Sequence, residues 1–158
     1  MIILAVTLTI ILVCSAVLAV IDQIIKYFVL ENLKPVGYMS VADSIFSLVY
    51  VENRGIAFGM FQGMFWFFSL MTVVFIGIFI YMIVKKIFQG KLFYIASTLI
   101  IGGGIGNLTD RVFRGYVIDY LSFSFFSPVF NFADCCVTIG AVLMIISVLI
   151  SFGEKKYE

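Results

Sequence analysis

Histidine is absent from this chain of 158 residues, only 12% of it is charged, and proline occurs twice. With no histidine and no second cysteine pair at ligand spacing, the common zinc hydrolase designs are excluded, so neither a metal nor another cofactor is expected. Three cysteines, Cys14, Cys135 and Cys136, cannot close into a set of bridges. Each lies in an apolar stretch, where a thiol reads as a small, buried, inert hydrophobe. The shortage of charge also leaves no basic patch or recognition motif for nucleic acid. Soluble domains are about half apolar and about a quarter charged. Here 63% of residues are hydrophobic and 18 are phenylalanine, so the chain belongs in a bilayer.

Four stretches are long enough to span it: 2–21, 61–84, 92–109 and 129–152. At about 1.5 Å per helical residue, runs of this length cover a hydrocarbon core of about 30 Å. The first lacks a charged leading region and a small-residue cleavage site, so it reads as a retained helix and not as a removed signal sequence. The expected fold is an all-α integral membrane protein, one domain over 1–158, in which lipid covers the outer surface of the helices.

An even number of spans puts both termini and the short loop KKIFQGK (85–91) on one side. Lys85, Lys86, Lys91, Lys155 and Lys156 lie there, against Lys26, Lys34, Arg54, Arg111 and Arg114 opposite. The totals are equal, so the density of lysine in the short loop assigns that side to the cytoplasm. The polar chemistry then falls outside. The first outer connection, from Asp22 to Met60, carries a Pro35/Gly37 turn and then SIFSLVYVEN, whose β-branched and aromatic residues predict a small sheet at the membrane surface. The second, from Asp110 to Pro128, contains FSFFSPVF, an aromatic cluster of the kind that rests at the interface.

Within IIGGGIGNLTDR (100–111), Gly102 and Gly106 form a small-xxx-small pair that lets helix backbones touch, and packing alone accounts for them. Asn107, Asp110 and Arg111 share one helical face at the outer boundary by their i, i+3, i+4 spacing. Asp119 stands alone among Val117, Ile118, Tyr120 and Leu121. Asn131 and Asp134 share a face near the outer end of the fourth helix. A carboxylate in a run made for lipid costs a few kcal/mol even on the gentlest insertion scale, which calls for a reason. Taken singly, Asp119 fits a solvated loop residue and Asp134 a helix N-terminal acid stabilised by the dipole. Neither alternative explains both. Two aspartates at one depth can meet, and such a pair shares one proton, since like charges a few Å apart resist ionising together. The pair then offers a base for water and an acid for a carbonyl oxygen or leaving amine.

A proton-conducting transporter would put its ionisable groups near mid-bilayer and usually show an internal repeat, whereas these acids cluster at one boundary. A lipid-modifying transferase would use Arg111 and Arg114 for phosphate and the aspartates for metal. A purely structural adaptor leaves the polar cluster without a role.

DQIIK (22–26), NRGIAFG (53–59), GNLTDR (106–111) with GYVIDY (115–120), and FNFAD (130–134) occur in an order that resembles the motif series of bacterial lipoprotein signal peptidase, or signal peptidase II. Tyr120 stands where phenylalanine is more usual and Val137 where isoleucine is common. The resemblance implies an aspartyl endopeptidase of the bacterial inner or plasma membrane that cuts the signal peptide from a prolipoprotein ahead of its diacylglyceryl cysteine. It implies Asp119 and Asp134 as the catalytic pair. Asn53, Gly55, Asn107 and Arg111 are implied to hold substrate groups, with Asn131 placed among them and also as a brace; Asp22, Lys26 and Asp110 support the site. Partners are then the diacylglyceryl precursor and membrane lipids, and the chain is expected to act as a monomer, with the long first outer loop covering the site.

Overall fold

A computed structural model of the chain describes residues 2–42, 45–55 and 65–154. Four helices, α1 (Ile2–Phe28), α2 (Phe65–Val84), α3 (Lys91–Arg114) and α4 (Phe132–Glu154), accompany four strands, β1 (Tyr38–Ala42), β2 (Phe46–Asn53), β3 (Val117–Phe123) and β4 (Phe126–Phe130). All four helices are long and apolar enough to cross a membrane. Large apolar side chains such as Ile3, Val13, Leu70, Ile145 and Leu149 point outward. That is the pattern of helices solvated by lipid, in which the chain need not bury its hydrophobic surface against itself.

Helix α3 is the hub, packing against α1, α2 and α4. Its glycines make this possible. A Cβ on Gly102 would press on Ser15 O and Leu18 of α1, and one on Gly103 would collide with Ala133 O of α4. Ser15 Oγ completes the α1 contact by donating to Thr98 O at 3.0 Å. On the side of the KKIFQGK loop, Ile11, Ile83, Phe93 and Ile101 form an apolar core.

Three helix boundaries differ from the hydrophobic runs. Helix α1 does not stop at residue 21 but carries Asp22 and Lys26 inside it, then closes through a π-helical turn, Val29–Leu33. Helix α3 continues past residue 109 to Arg114, where Gly115 takes a left-handed φ of 78° and donates its N–H to Arg111 O. Helix α4 begins at Phe132, since Val129 and Phe130 belong to β4. The expected start of the second span, 61–64, and Lys155 and Lys156 lie outside the described residues. Cys14 is exposed on the outward side of α1 and not buried, Cys135 is half-buried, and Cys136 is buried as expected.

The sheet is larger than the first outer connection alone predicts. Its order is β1-β2-β3-β4, antiparallel throughout, so each outer connection contributes a hairpin. The central β2–β3 ladder sets Asn53 opposite Val117 and Val51 opposite Asp119. Val29 and Leu33 of the π turn pack under Ile118 and Tyr120, which fastens the sheet to the C-terminal end of α1.

Candidate active site

Three carboxylate residues line a single cavity of about 950 Å³: Glu52 of β2, which is paired with Lys34 and Arg54, and then Asp119 of β3 and Asp134 of α4. Among the described residues its walls include Asn53, Arg54 and Gly55 at the end of β2, Arg111 of α3, Asp119 of β3, and Asp134 with Cys135 of α4. Phe126 through Phe130 of β4 and Phe68 of α2 supply its apolar side.

Asp119 sits mid-strand and is almost fully buried. Asn53 Nδ2 donates to its Oδ2 at 2.8 Å and Asn131 Nδ2 to its Oδ1 at 2.6 Å. Burial, and then the neighbouring Asp134 carboxylate, push Asp119 up to about 7 against the lowering effect of those two donors. It therefore keeps its proton at mildly acidic pH, where an ordinary aspartate is ionised. Asn53 is itself fixed, its Oδ1 accepting the Gly55 N–H at 3.0 Å in a tight local turn.

Asp134 stands three residues after Asn131, at the start of α4. The two make a reciprocal pair: Asn131 Oδ1 accepts the Asp134 N–H at 2.9 Å, and Asp134 Oδ2 accepts the Asn131 N–H at 3.2 Å. This is the geometry of a capping box, and it satisfies two otherwise unpaired helix N–H groups. Asn107 Nδ2 donates to the other oxygen of Asp134 at 2.7 Å. The acid therefore does stabilise a helix start, and it faces the cavity as well.

Behind the cavity lies a second, fully buried polar cluster. The Lys26 ammonium has three donors, and they meet Asp22 Oδ2 at 2.8 Å, Asp110 Oδ2 at 2.7 Å and Asn107 Oδ1 at 3.0 Å. Asp22 Oδ1 accepts the Ala133 N–H of α4 at 3.1 Å, and Asp110 Oδ2 accepts the Ile118 N–H of β3 at 3.0 Å. One cluster thus ties α1 and α3 to the two elements that carry Asp119 and Asp134. Charges so deep are tolerated because each is paired and hydrogen-bonded.

Of the residues singled out in the sequence, Asn53, Gly55, Arg111, Asp119 and Asp134 line the cavity, whereas Asn107, Asn131, Asp22, Lys26 and Asp110 stand behind it. Three further members have weak signals in sequence. Arg114 pairs with Asp110 at 2.6 Å, and its i, i+4 spacing is the available clue. Gln23 accepts from Arg114 at 2.9 Å and donates to Gly106 O at 3.1 Å. Tyr120 Oη accepts the Phe132 N–H at 3.2 Å, so the hydroxyl that marks a departure from the motif series adds a contact to the start of α4.

Residues 14–150 match the sequence model of the family described as Signal peptidase (SPase) II. A protein named lipoprotein signal peptidase from Caldanaerobacter subterraneus subsp. tengcongensis is 42% identical over 133 residues, covering 84% of this chain and 91% of that protein. One of the same name from Fusobacterium nucleatum subsp. nucleatum is 42% identical over 142 residues, covering 89% of this chain and 86% of that protein. Among solved structures, a bacterial membrane enzyme determined by the in meso method at 2.3 Å superposes with a TM-score of 0.84 at 27% identity, covering 95% of this chain and 93% of the other. With Asp119 and Asp134 on one cavity, four spanning helices and these relatives, the chain belongs to the signal peptidase II family.

Proposed function

We propose that this chain is a membrane aspartyl endopeptidase that removes the signal peptide from diacylglyceryl-modified prolipoproteins, cutting on the N-terminal side of the lipidated cysteine, and that Asp119 and Asp134 are its catalytic residues. The observation that carries the assignment is their convergence from β3 and α4 on one cavity.

The chemistry needs one proton on the pair. One carboxylate takes a proton from water as the water oxygen attacks the scissile carbonyl carbon, while the carboxylic acid partner protonates the carbonyl oxygen. Collapse of the resulting gem-diol breaks the C–N bond: the departing nitrogen takes up the proton held by the pair, and a gem-diol hydroxyl gives its proton to the other carboxylate, which restores the singly protonated pair. One water is consumed. The products are a signal peptide ending in a carboxyl group and a lipidated cysteine with a free amino group. Neither metal nor covalent intermediate enters these steps.

Asn53, Gly55 and Arg111, which share the cavity wall with the pair, are the residues assigned to substrate backbone and to polar groups of the lipid-linked cysteine. The apolar wall of β4 and α2 suits the hydrophobic partner that such a substrate brings, and membrane lipid surrounds the rest. The protein is assigned as a monomer in the bacterial cell membrane, with the termini and the KKIFQGK loop cytoplasmic and the cavity at the extracytoplasmic face. The lysines of that short loop support the orientation. Residues 43–44 and 56–60 of the long first outer loop expected to cover the site lie outside the described residues.

The test is to incubate purified full-length protein with a diacylglyceryl-modified precursor and, in parallel, with the same precursor lacking lipid. Cleavage ahead of the cysteine in the lipidated precursor alone is expected. Equal cleavage of both, or of neither, contradicts the assignment.

A further inference from the structure

Asn131 is wholly buried and absent from the cavity wall among the described residues, yet it hydrogen-bonds to both Asp119 and Asp134. Its side-chain oxygen accepts the Asp134 N–H at 2.9 Å. A backbone N–H can only donate, so that contact decides which end of the Asn131 amide is oxygen. Both hydrogens of the amide nitrogen are then committed, one to Asp119 Oδ1 at 2.6 Å and the other to Asn107 Oδ1 at 3.1 Å.

Asn107 is oriented in turn. Its oxygen takes hydrogens from Asn131 and, at 3.0 Å, from the Lys26 ammonium, which has nothing but donors. Its nitrogen is therefore turned toward Asp134 Oδ1, 2.7 Å away. The Asn131 backbone N–H covers the remaining oxygen of Asp134 at 3.2 Å. Three of the four carboxylate oxygens of the pair are thus addressed by Asn131, two directly and one through Asn107. The fourth, Asp119 Oδ2, takes its hydrogen from Asn53 on the cavity side.

We propose that Asn131 is a positioning residue and not a substrate ligand: its single amide, oriented by the first turn of α4, holds Asp119 and Asp134 in one fixed mutual geometry. The proposal rests on the reading that these two aspartates do the chemistry. It follows that the start of α4 and the catalytic geometry are one structural unit.

Capping and positioning separate in Asn131→Ser. Serine is a good N-cap, so the Asp134 N–H keeps an acceptor, but its hydroxyl cannot also reach Asp119 and Asn107. The variant is expected to accumulate and melt like the unsubstituted protein while kcat for the lipidated precursor falls about a hundredfold and KM stays within about twofold, the pattern of an interaction needed in the transition state only. Should the serine variant not accumulate, Asn131→Gly, also tolerated at a helix start, is measured for the same split.

A raised KM with kcat retained makes Asn131 a substrate ligand and overturns the proposal. Full kcat per folded molecule with a lowered melting temperature makes it a cap alone, and overturns it equally. If the unsubstituted protein does not cleave the precursor, the peptidase reading itself falls, and the positioning role with it.

Discussion

Gly106 of α3 lies so close to Asp22 of α1 that a Cβ built on the glycine would stand 2.7 Å from Asp22 Oδ2. That carboxylate cannot swing aside, because Lys26 and the Ala133 N–H hold it. Gly106→Ala is therefore expected to destabilise the protein by about 1–3 kcal/mol, the usual cost of overpacking a filled site. Gly104 is the control: a Cβ there meets Thr72 Cγ2 at an ordinary 3.4 Å, so Gly104→Ala should be nearly neutral. Thermal unfolding in detergent reads both, and equal melting temperatures for the two variants would contradict this packing account.

Lys26→Met removes the cation shared by Asp22 and Asp110. Asp110 keeps Arg114, but Asp22 is left with no cation among the described contacts. Stripping one partner from a buried ion pair costs about 3–5 kcal/mol, because the remaining charge stays uncompensated. A large fall in melting temperature is expected, partly recovered by adding Asp22→Asn, which removes the stranded charge. A Lys26→Met protein that melts unchanged would show that the cluster contributes nothing to stability.

The raised pKa of Asp119 has two consequences for pH. A carboxyl group that ionises near 3.8 in the unfolded chain and at about 7 in the folded one binds more protons when folded anywhere between those values. Its contribution to stability is thus fully present below the lower value and is lost as pH rises through about 7. Asp119→Asn should flatten that slope in melting temperature against pH. Cleavage, which needs one proton on the pair, should decline as pH passes about 7 from below, since the proton retained by Asp119 is then released. A rate that climbs steadily through that region would contradict the assignment of Asp119 to the pair.

Chelator is expected to leave turnover of the lipidated precursor unchanged, because the proposed acid and base are both carboxyl groups. Activity lost to a chelator and restored by a divalent cation would favour the metal-dependent reading of the aspartates.

Much of the architecture is written in hydrophobic runs, since lipid demands long apolar helices and little else satisfies a backbone there. What the runs misplace are the ends. Asp22 and Lys26 look like the end of a span, yet α1 continues through them because Asp110, 84 positions beyond Lys26, completes the ion cluster. Such compensation belongs to tertiary structure and leaves no local trace. The same holds for the sheet. SIFSLVYVEN announces β2, but β3 and β4 form strands because β2 offers an edge to the second outer connection, which sets Val51 opposite Asp119. Asp119 and Asp134 were legible because a carboxylate in apolar surroundings needs a reason. Gln23 and Arg114 were not, because a polar residue at a helix end needs none.

The central claim is that Asp119 and Asp134 together cleave the peptide bond, and the most direct measurement is turnover of the diacylglyceryl precursor by Asp119→Asn and Asp134→Asn, each normalised to folded protein. Both should lose at least about a hundredfold in kcat, on the scale that general acid–base catalysis supplies, while accumulating normally in the membrane. Either variant retaining turnover within about twofold of the unsubstituted protein, far inside that scale, would remove its residue from the pair and contradict the mechanism.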